Sequence, residues 1–242
     1  MQQICKFVVS FMKLKRSFFA RPTLTVAQDL LGKYLVRKLP SSSLRAKRGN
    51  LVGKIVEVEA YIGEDDLACH ASKGRTKRTE LLYHKPGTIY VYMIYGMYYC
   101  LNIVIEKADY PAAILIRAVE VKNSPSPFPT KTDPPLAEIL SPRGRGMGEG
   151  VLTDPKIASG PGKLCRYFKI DKTFNGQDLI DNKNLWIEDG GRSDDRRSVL
   201  RQEVRPPVKI VSASRVGVDY AKHCAKYPWR FYIKNNISVS KK

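Results

Sequence analysis

The sequence predicts an α+β protein: a single domain with a mostly antiparallel, curved β-sheet at its core, short helices around it and a protruding β-hairpin. Three observations carry this. Segments that alternate apolar and polar residues follow one another as a meander, a pattern that suits antiparallel pairing. The helical signals are short and lie between the strands, and no internal repeat is visible. The 242 residues are 43% hydrophobic, enough to bury a sizeable core without metals or disulfides.

Residues 1–16 read as a basic tail, since the apolar stretch Phe7 to Met12 is too short to span a membrane and is broken by Ser10. The folded domain is expected over residues 17–235, with 236–242 a second basic tail. Thr25-Val26-Ala27-Gln28 has the form of a capping box and leads through Asp29-Leu30-Leu31 to Gly32, the pattern of a short helix closed by glycine. Strands are expected at Lys33 to Lys38 and Leu51 to Tyr61, separated by the polar stretch Ser41 to Asn50. In the second, strict alternation places Ile55, Glu57, Glu59 and Tyr61 on one face and Val56, Val58 and Ala60 on the other.

Six of the thirteen tyrosines lie between residues 83 and 99. Thr88 to Ile94 and Met97 to Val104 alternate as a hairpin, with Tyr95-Gly96 as its tight turn. Ala112 to Val119 is the next strand, placing Leu115, Arg117 and Val119 on one face. Six prolines from Pro125 to Pro142 and four glycines from Gly144 to Gly150 then mark residues 122–150 as a disordered insert. Ser159-Gly160-Pro161-Gly162 opens a short helix carrying Leu164, Cys165 and Phe168; its free N–H groups suit either a phosphate or an ordinary helix start. Further strands are expected near Leu185 to Glu188, Val208 to Ser212 and Trp229 to Lys234, with a charged loop from Arg192 to Arg205 and a short helix from Asp219 to Lys226.

Charge narrows the function. Forty-two Lys and Arg against 23 Asp and Glu give a formal net charge of +19, which points to a polyanionic partner, most commonly nucleic acid. A membrane surface would call for an amphipathic basic helix or a long apolar segment, and neither is evident. The five cysteines are scattered, none at metal-ligand spacing, and there are three histidines, so no metal or cofactor is expected. Reduced thiols suit a cytoplasmic chain, nucleoid-associated if bacterial, and a monomer is expected. The chemistry then falls to carboxylates, arginine and aromatic rings. Glu59 and Tyr61 on one face, His70 shortly after, the tyrosine-rich hairpin and Arg117 on a neighbouring strand supply an acid–base group, stacking surfaces and a cation.

These residues lie in longer motifs: Gly53-Lys54-Ile55-Val56-Glu57-Val58-Glu59-Ala60-Tyr61-Ile62-Gly63; Asp66 and His70; the run Pro86 to Tyr98; Cys100-Leu101-Asn102; Leu115-Ile116-Arg117-Ala118; Ser159 to Cys165; and Arg215-Val216-Gly217-Val218. Together they resemble the alkyladenine, or 3-methyladenine, DNA glycosylases found in mammals and many bacteria, from about Phe18 to Ile233. The resemblance implies a monofunctional enzyme that flips a damaged purine, alkylated or also deaminated or etheno-bridged, from double-stranded DNA and hydrolyses its N-glycosidic bond, leaving an abasic site. It implies Glu59 as general base toward water, with Arg117 and the carbonyl of Val216 holding that water. It implies a base sandwiched between Tyr61 and His70 on one side and Tyr92 on the other, with Asn102 screening purines by their exocyclic groups. Tyr95 matches a wedge that enters the minor groove, flanked by Met97 and Tyr98.

Arg75, Lys77 and Arg78, in a basic loop with Lys73, are expected to bind DNA phosphates, as is Lys163. No lysine occupies a nucleophile position, so strand cleavage through a Schiff base is not expected. The sequence departs from the family pattern in two places: the insert replaces a basic helical stretch after the Arg117 strand, and Lys77 stands where many relatives have proline. A lesion-binding module without catalysis and an RNA-binding protein are the competing readings. Glu59, Arg117, Tyr61 and His70 together favour the enzyme, because a pure binder has no use for a carboxylate near phosphates, and RNA-type motifs are missing.

Overall fold

The computed structural model describes residues 12–40, 50–121, 154–190 and 208–241. The expected insert at 122–150, nearly all of the polar stretch 41–50 and the charged loop from Arg192 to Arg205 lie outside them. The described chain forms the expected α+β domain. Its sheet holds β1 (Met12–Lys13), β7 (Leu185–Asp189), β2 (Tyr34–Arg37), β3 (Leu51–Ile62), β6 (Ala112–Glu120), β5 (Tyr98–Val104) and β4 (Ile89–Ile94) in that order, every pair antiparallel.

The long β3 explains the curl. On one edge it pairs with β6 over most of its length. On the other it pairs first with β2, through Leu51 to Lys54, and then with β9 (Arg230–Ile233), through Glu57 to Glu59. The partner changes where the β3–β6 register shifts, on either side of Glu57. An irregularity of this kind bends a strand and redirects its side chains. β8 (Ile210–Ala213) lies outside β9.

This irregularity corrects the strict alternation read from sequence. Ile55 lies in the main core with Val58 and Ala60, while Val56 packs with Ala118 and Val239 in a separate cluster. On β6, Val119 pairs with Ile55 and joins the main core, so it does not share a face with Arg117. Gly53 belongs to the same tight crossing, since a Cβ there would meet Val119 Cγ2 at 2.7 Å.

The core lies under α1 (Arg16–Phe19), α2 (Thr23–Leu30) and α3 (Pro161–Phe168). Leu164, Cys165, Tyr167 and Phe168 form the buried face of α3, and each large apolar side chain so buried contributes about 1.5–3 kcal/mol. α2 starts two residues before the expected capping box. Its first-turn donors are met from a distance, with the Thr23 N–H and Oγ1 both donating to Glu106 Oε1 at 3.0 and 2.6 Å, a partner 83 residues away that no local pattern reveals. Asp219–Lys226 forms 3₁₀ turns with a kink at Ala221 and Lys222 in place of one helix.

The described ends of both expected tails meet the fold, residues 1–11 and 242 lying outside the described residues. Met12 and Lys13 pair with β7, and Arg16 bonds Asp178 Oδ2 at 2.7 Å and the Pro86 carbonyl at 2.6 Å. At the other end Ser238 and Val239 are buried, and Ser240 donates to Glu57. Residues 236–242 read as a basic tail in the sequence, yet Ser238 and Val239 are buried, Val239 against Val56 of β3 and Ala118 of β6.

Candidate active site

β3 and β6 bring the expected carboxylate and guanidinium together. Glu59 is fully buried, yet three donors hold its carboxylate: Arg117 Nη1 at 3.2 Å and the Tyr61 hydroxyl at 2.9 Å to Oε2, and the Val216 N–H at 2.7 Å to Oε1. Burial, and next the neighbouring Glu59, raise Tyr61 well above its ordinary value, so the phenol keeps its proton and donates. Val216 engages Glu59 through its N–H, a contact that the sequence did not suggest.

The Val216 segment is itself clamped. Arg215 makes a two-pronged pair with Asp66, both fully buried, at 2.5 and 2.7 Å, and donates to the carbonyls of Ala60 and Cys224. Its guanidinium stands 4.8 Å from the Tyr61 ring centre and 5.1 Å from that of Trp229. Asp66 and Arg215 were visible only as members of motifs; the pairing across 149 residues was not.

Tyr61, bonded to Glu59, lines a cavity of about 20 Å³ with His70, Tyr90, Tyr92, Asn102 and apolar neighbours, which is room for about one water. The rings of His70 and Tyr92 touch edge to face, centroids 4.5 Å apart. A base stacked between two rings needs about 7 Å. His70 Nδ1 lies 2.9 Å from the Tyr90 hydroxyl. Burial, then Arg78 and Lys73, lower His70 from 6.5 to about 4, leaving the imidazole neutral near pH 7. Asn102 spends its amide N–H groups on the carbonyls of Tyr90 (3.2 Å) and Cys100 (3.4 Å). Both partners are acceptors, which fixes the amide's orientation and leaves Oδ1 as its free acceptor.

The hairpin rises from this pocket. Met97 N–H closes the turn on the Ile94 carbonyl, with Tyr95 at φ 51° and Gly96 at φ 69°, as the twist of paired strands favours. Tyr95 is 85% exposed and Met97 66%. Tyr98 differs. It is half-buried beside the turn, paired with Ile94, where Gly162 of α3 leaves room for its ring and the Arg166 guanidinium lies 5.6 Å from it.

The expected phosphate contacts divide. Arg75 pairs with Glu80 and Asp109 and lies over the Tyr83 ring, so its charge is already matched. Arg78 lies near His70 and Tyr90, at the pocket. Lys77 and Lys163 are exposed, with no ion pair to them among the described residues. No group of three or more potential metal ligands occurs among the described residues, and no helix there is long and apolar enough to cross a membrane.

The model of the family described as methylpurine-DNA glycosylase (MPG) matches residues 17–237. The chain belongs to the methylpurine-DNA glycosylase family. Relatives named for 3-methyladenine DNA glycosylase include one from Methanocella arvoryzae, 47% identical over 95% of this chain and 96% of its own length. Two from Clostridium perfringens strains are 42% and 41% identical over 96% of this chain and all of theirs. Membership makes this chain a DNA glycosylase, a hydrolase of N-glycosyl bonds. The family resemblance in the sequence is thereby established, and the glycosylase frame spans the sheet, the pocket and the hairpin described above.

Proposed function

We propose that this glycosylase flips a damaged purine from double-stranded DNA into the pocket beside Glu59 and hydrolyses its glycosidic bond with water, leaving an abasic site. The observation that carries the reading is the buried Glu59, held by Arg117, Val216 and Tyr61, the last of which lines an aromatic cavity. A purine inside a duplex hides its glycosidic bond, so it has to leave the stack at a cost of a few kcal/mol. Tyr95, exposed on a rigid turn with Met97, suits the wedge that fills the vacancy from the minor groove. Aromatic faces in the pocket return about 1–3 kcal/mol per stacked base. His70 and Tyr92 separate to admit it.

Departure of the base builds positive charge on the sugar. Glu59 stabilises that charge and takes a proton from the attacking water, which Arg117 and the Val216 carbonyl orient. Alkylated purines such as 7-methylguanine carry a positive charge while bonded to the sugar, favoured by electron-rich walls, and take the bonding pair to depart as neutral bases. Hypoxanthine and ethenoadenine are the neutral candidates, screened at Asn102. With water as nucleophile the enzyme cuts no strand. Lys77, Arg78 and Lys163 bind phosphates without reading sequence. The protein works as a cytoplasmic monomer.

Single-turnover assays on duplexes carrying 7-methylguanine, hypoxanthine or ethenoadenine, with chelator present, test this. Free base is expected from at least one, with nicks only after alkali. Tight lesion binding without release would favour a binding module, and nicks without alkali would contradict the monofunctional reading.

A further inference from the structure

Two residues before Glu59 on β3 stands a second buried carboxylate. Glu57 is fully buried, and its Oε1 accepts from Arg117 Nε at 3.1 Å and Arg230 Nη1 at 3.0 Å, while Oε2 accepts the Ser240 N–H at 2.7 Å. Arg117 is thereby held along its whole edge: Nε on Glu57, Nη1 on Glu59 and Nη2 on Ser240 Oγ at 3.3 Å. Arg230 extends the contact, with Nε donating to the Ser214 carbonyl at 3.0 Å and Nη1 to that of Lys241 at 2.7 Å. Ser214 lies two residues before Val216, whose N–H holds the other oxygen of Glu59.

The C-terminal segment is anchored on its own account. Val239 is buried against Val56 and Ala118, its carbonyl accepts from Lys156 Nζ at 2.6 Å, and the Asn236 amide reaches Glu120 at 2.9 Å.

We infer that Glu57 is a positioning residue for base release, and that residues 236–241 complete the active site from behind by fixing Glu57 and Arg117. Two carboxylates and two guanidiniums balance in charge, and such buried sets contribute orientation more dependably than stability. The bulge at Glu57 serves this end, turning Glu57 toward Arg117 at the position where β3 changes partner. This inference rests on the reading of Glu59 as the general base.

The charge balance yields a readout that a purely structural role would not move. Glu59 is faced by Arg117 from β6, by Tyr61 on its own strand, by Val216 with Arg215 beside it, and at longer range by Tyr92 and Cys100 of the hairpin. In Glu57→Gln the charge of Arg117 falls more fully on Glu59. The plateau of the single-turnover rate is expected to drop about 10²-fold, as slight misplacement near reacting atoms does. The acid limb of its pH profile is expected to move to lower pH, with affinity for duplex carrying 7-methylguanine unchanged. Deleting Ser240 to Lys242 keeps both glutamates and removes the N–H and hydroxyl that hold Glu57 and Arg117, so the rate should fall. Glu59→Gln serves as the control. If it releases base at the parent rate, the reading of Glu59 fails and this inference with it. If it is inactive while Glu57→Gln keeps the parent's rate and acid limb, the positioning role alone is overturned. Should Glu57→Gln not fold, the deletion decides, and a parent-like rate there overturns the inference.

Discussion

At the scale of single residues the pocket is set by what burial does to titratable groups. Tyr61 keeps its proton and can only donate to Glu59, while His70 loses its proton and stays neutral. The second has a consequence for stability. His70 is lowered from 6.5 to about 4 in the folded chain, so between those values the unfolded chain binds a proton that the folded chain refuses. Stability on account of this group therefore falls as pH drops below 6.5, and the loss is complete near 4. Denaturant unfolding at about pH 7 and about pH 5 should show the parent losing more stability than His70→Gln. Equal losses would mean that His70 titrates in the folded protein as it does in water. The same neutrality lets imidazole meet a cationic base without repulsion.

At the scale of elements, the hairpin combines a backbone device with a recognition device at one position. Tyr95 stands at φ 51°, a region where side chains are strained and glycine is not. Were the residue chosen for the turn alone, glycine would serve. Tyr95→Gly is accordingly expected to unfold at no lower temperature than the parent while binding lesion duplex more weakly. A clear drop in unfolding temperature, or parent-like lesion affinity, would separate Tyr95 from the wedge role. The hairpin was legible because Tyr95-Gly96 between two alternating runs is a local signal. β3 was legible as a strand and misread in its faces, because the register shift at Glu57 is imposed by β6 and β9 and leaves no mark on alternation. The start of α2 was misplaced for a similar reason, its capping acceptor being Glu106 from another part of the chain.

At the scale of the whole molecule, a curled antiparallel sheet lets residues distant in sequence converge on one carboxylate. Glu59 comes from β3, Arg117 from β6, 58 residues on, and Val216 from the segment after β8, 157 residues on. The first two could be found from their strands, and Val216 only through the family resemblance. The outer ring could not, since Asp66 with Arg215 and Glu57 with Ser240 are contacts made by topology, and the stretch 236–242 has the look of a basic tail in sequence. The net charge of +19 fits a DNA-bound enzyme and says nothing of where the chemistry lies.

The central claim is that Glu59 drives base release. Its most direct test is Glu59→Gln in single-turnover assays on duplex carrying 7-methylguanine, with lesion affinity measured alongside. The variant keeps the shape of the pocket, so binding should persist while release falls by at least about 10²-fold. Release at the parent rate, with binding intact, would contradict the claim and require another group to activate the water.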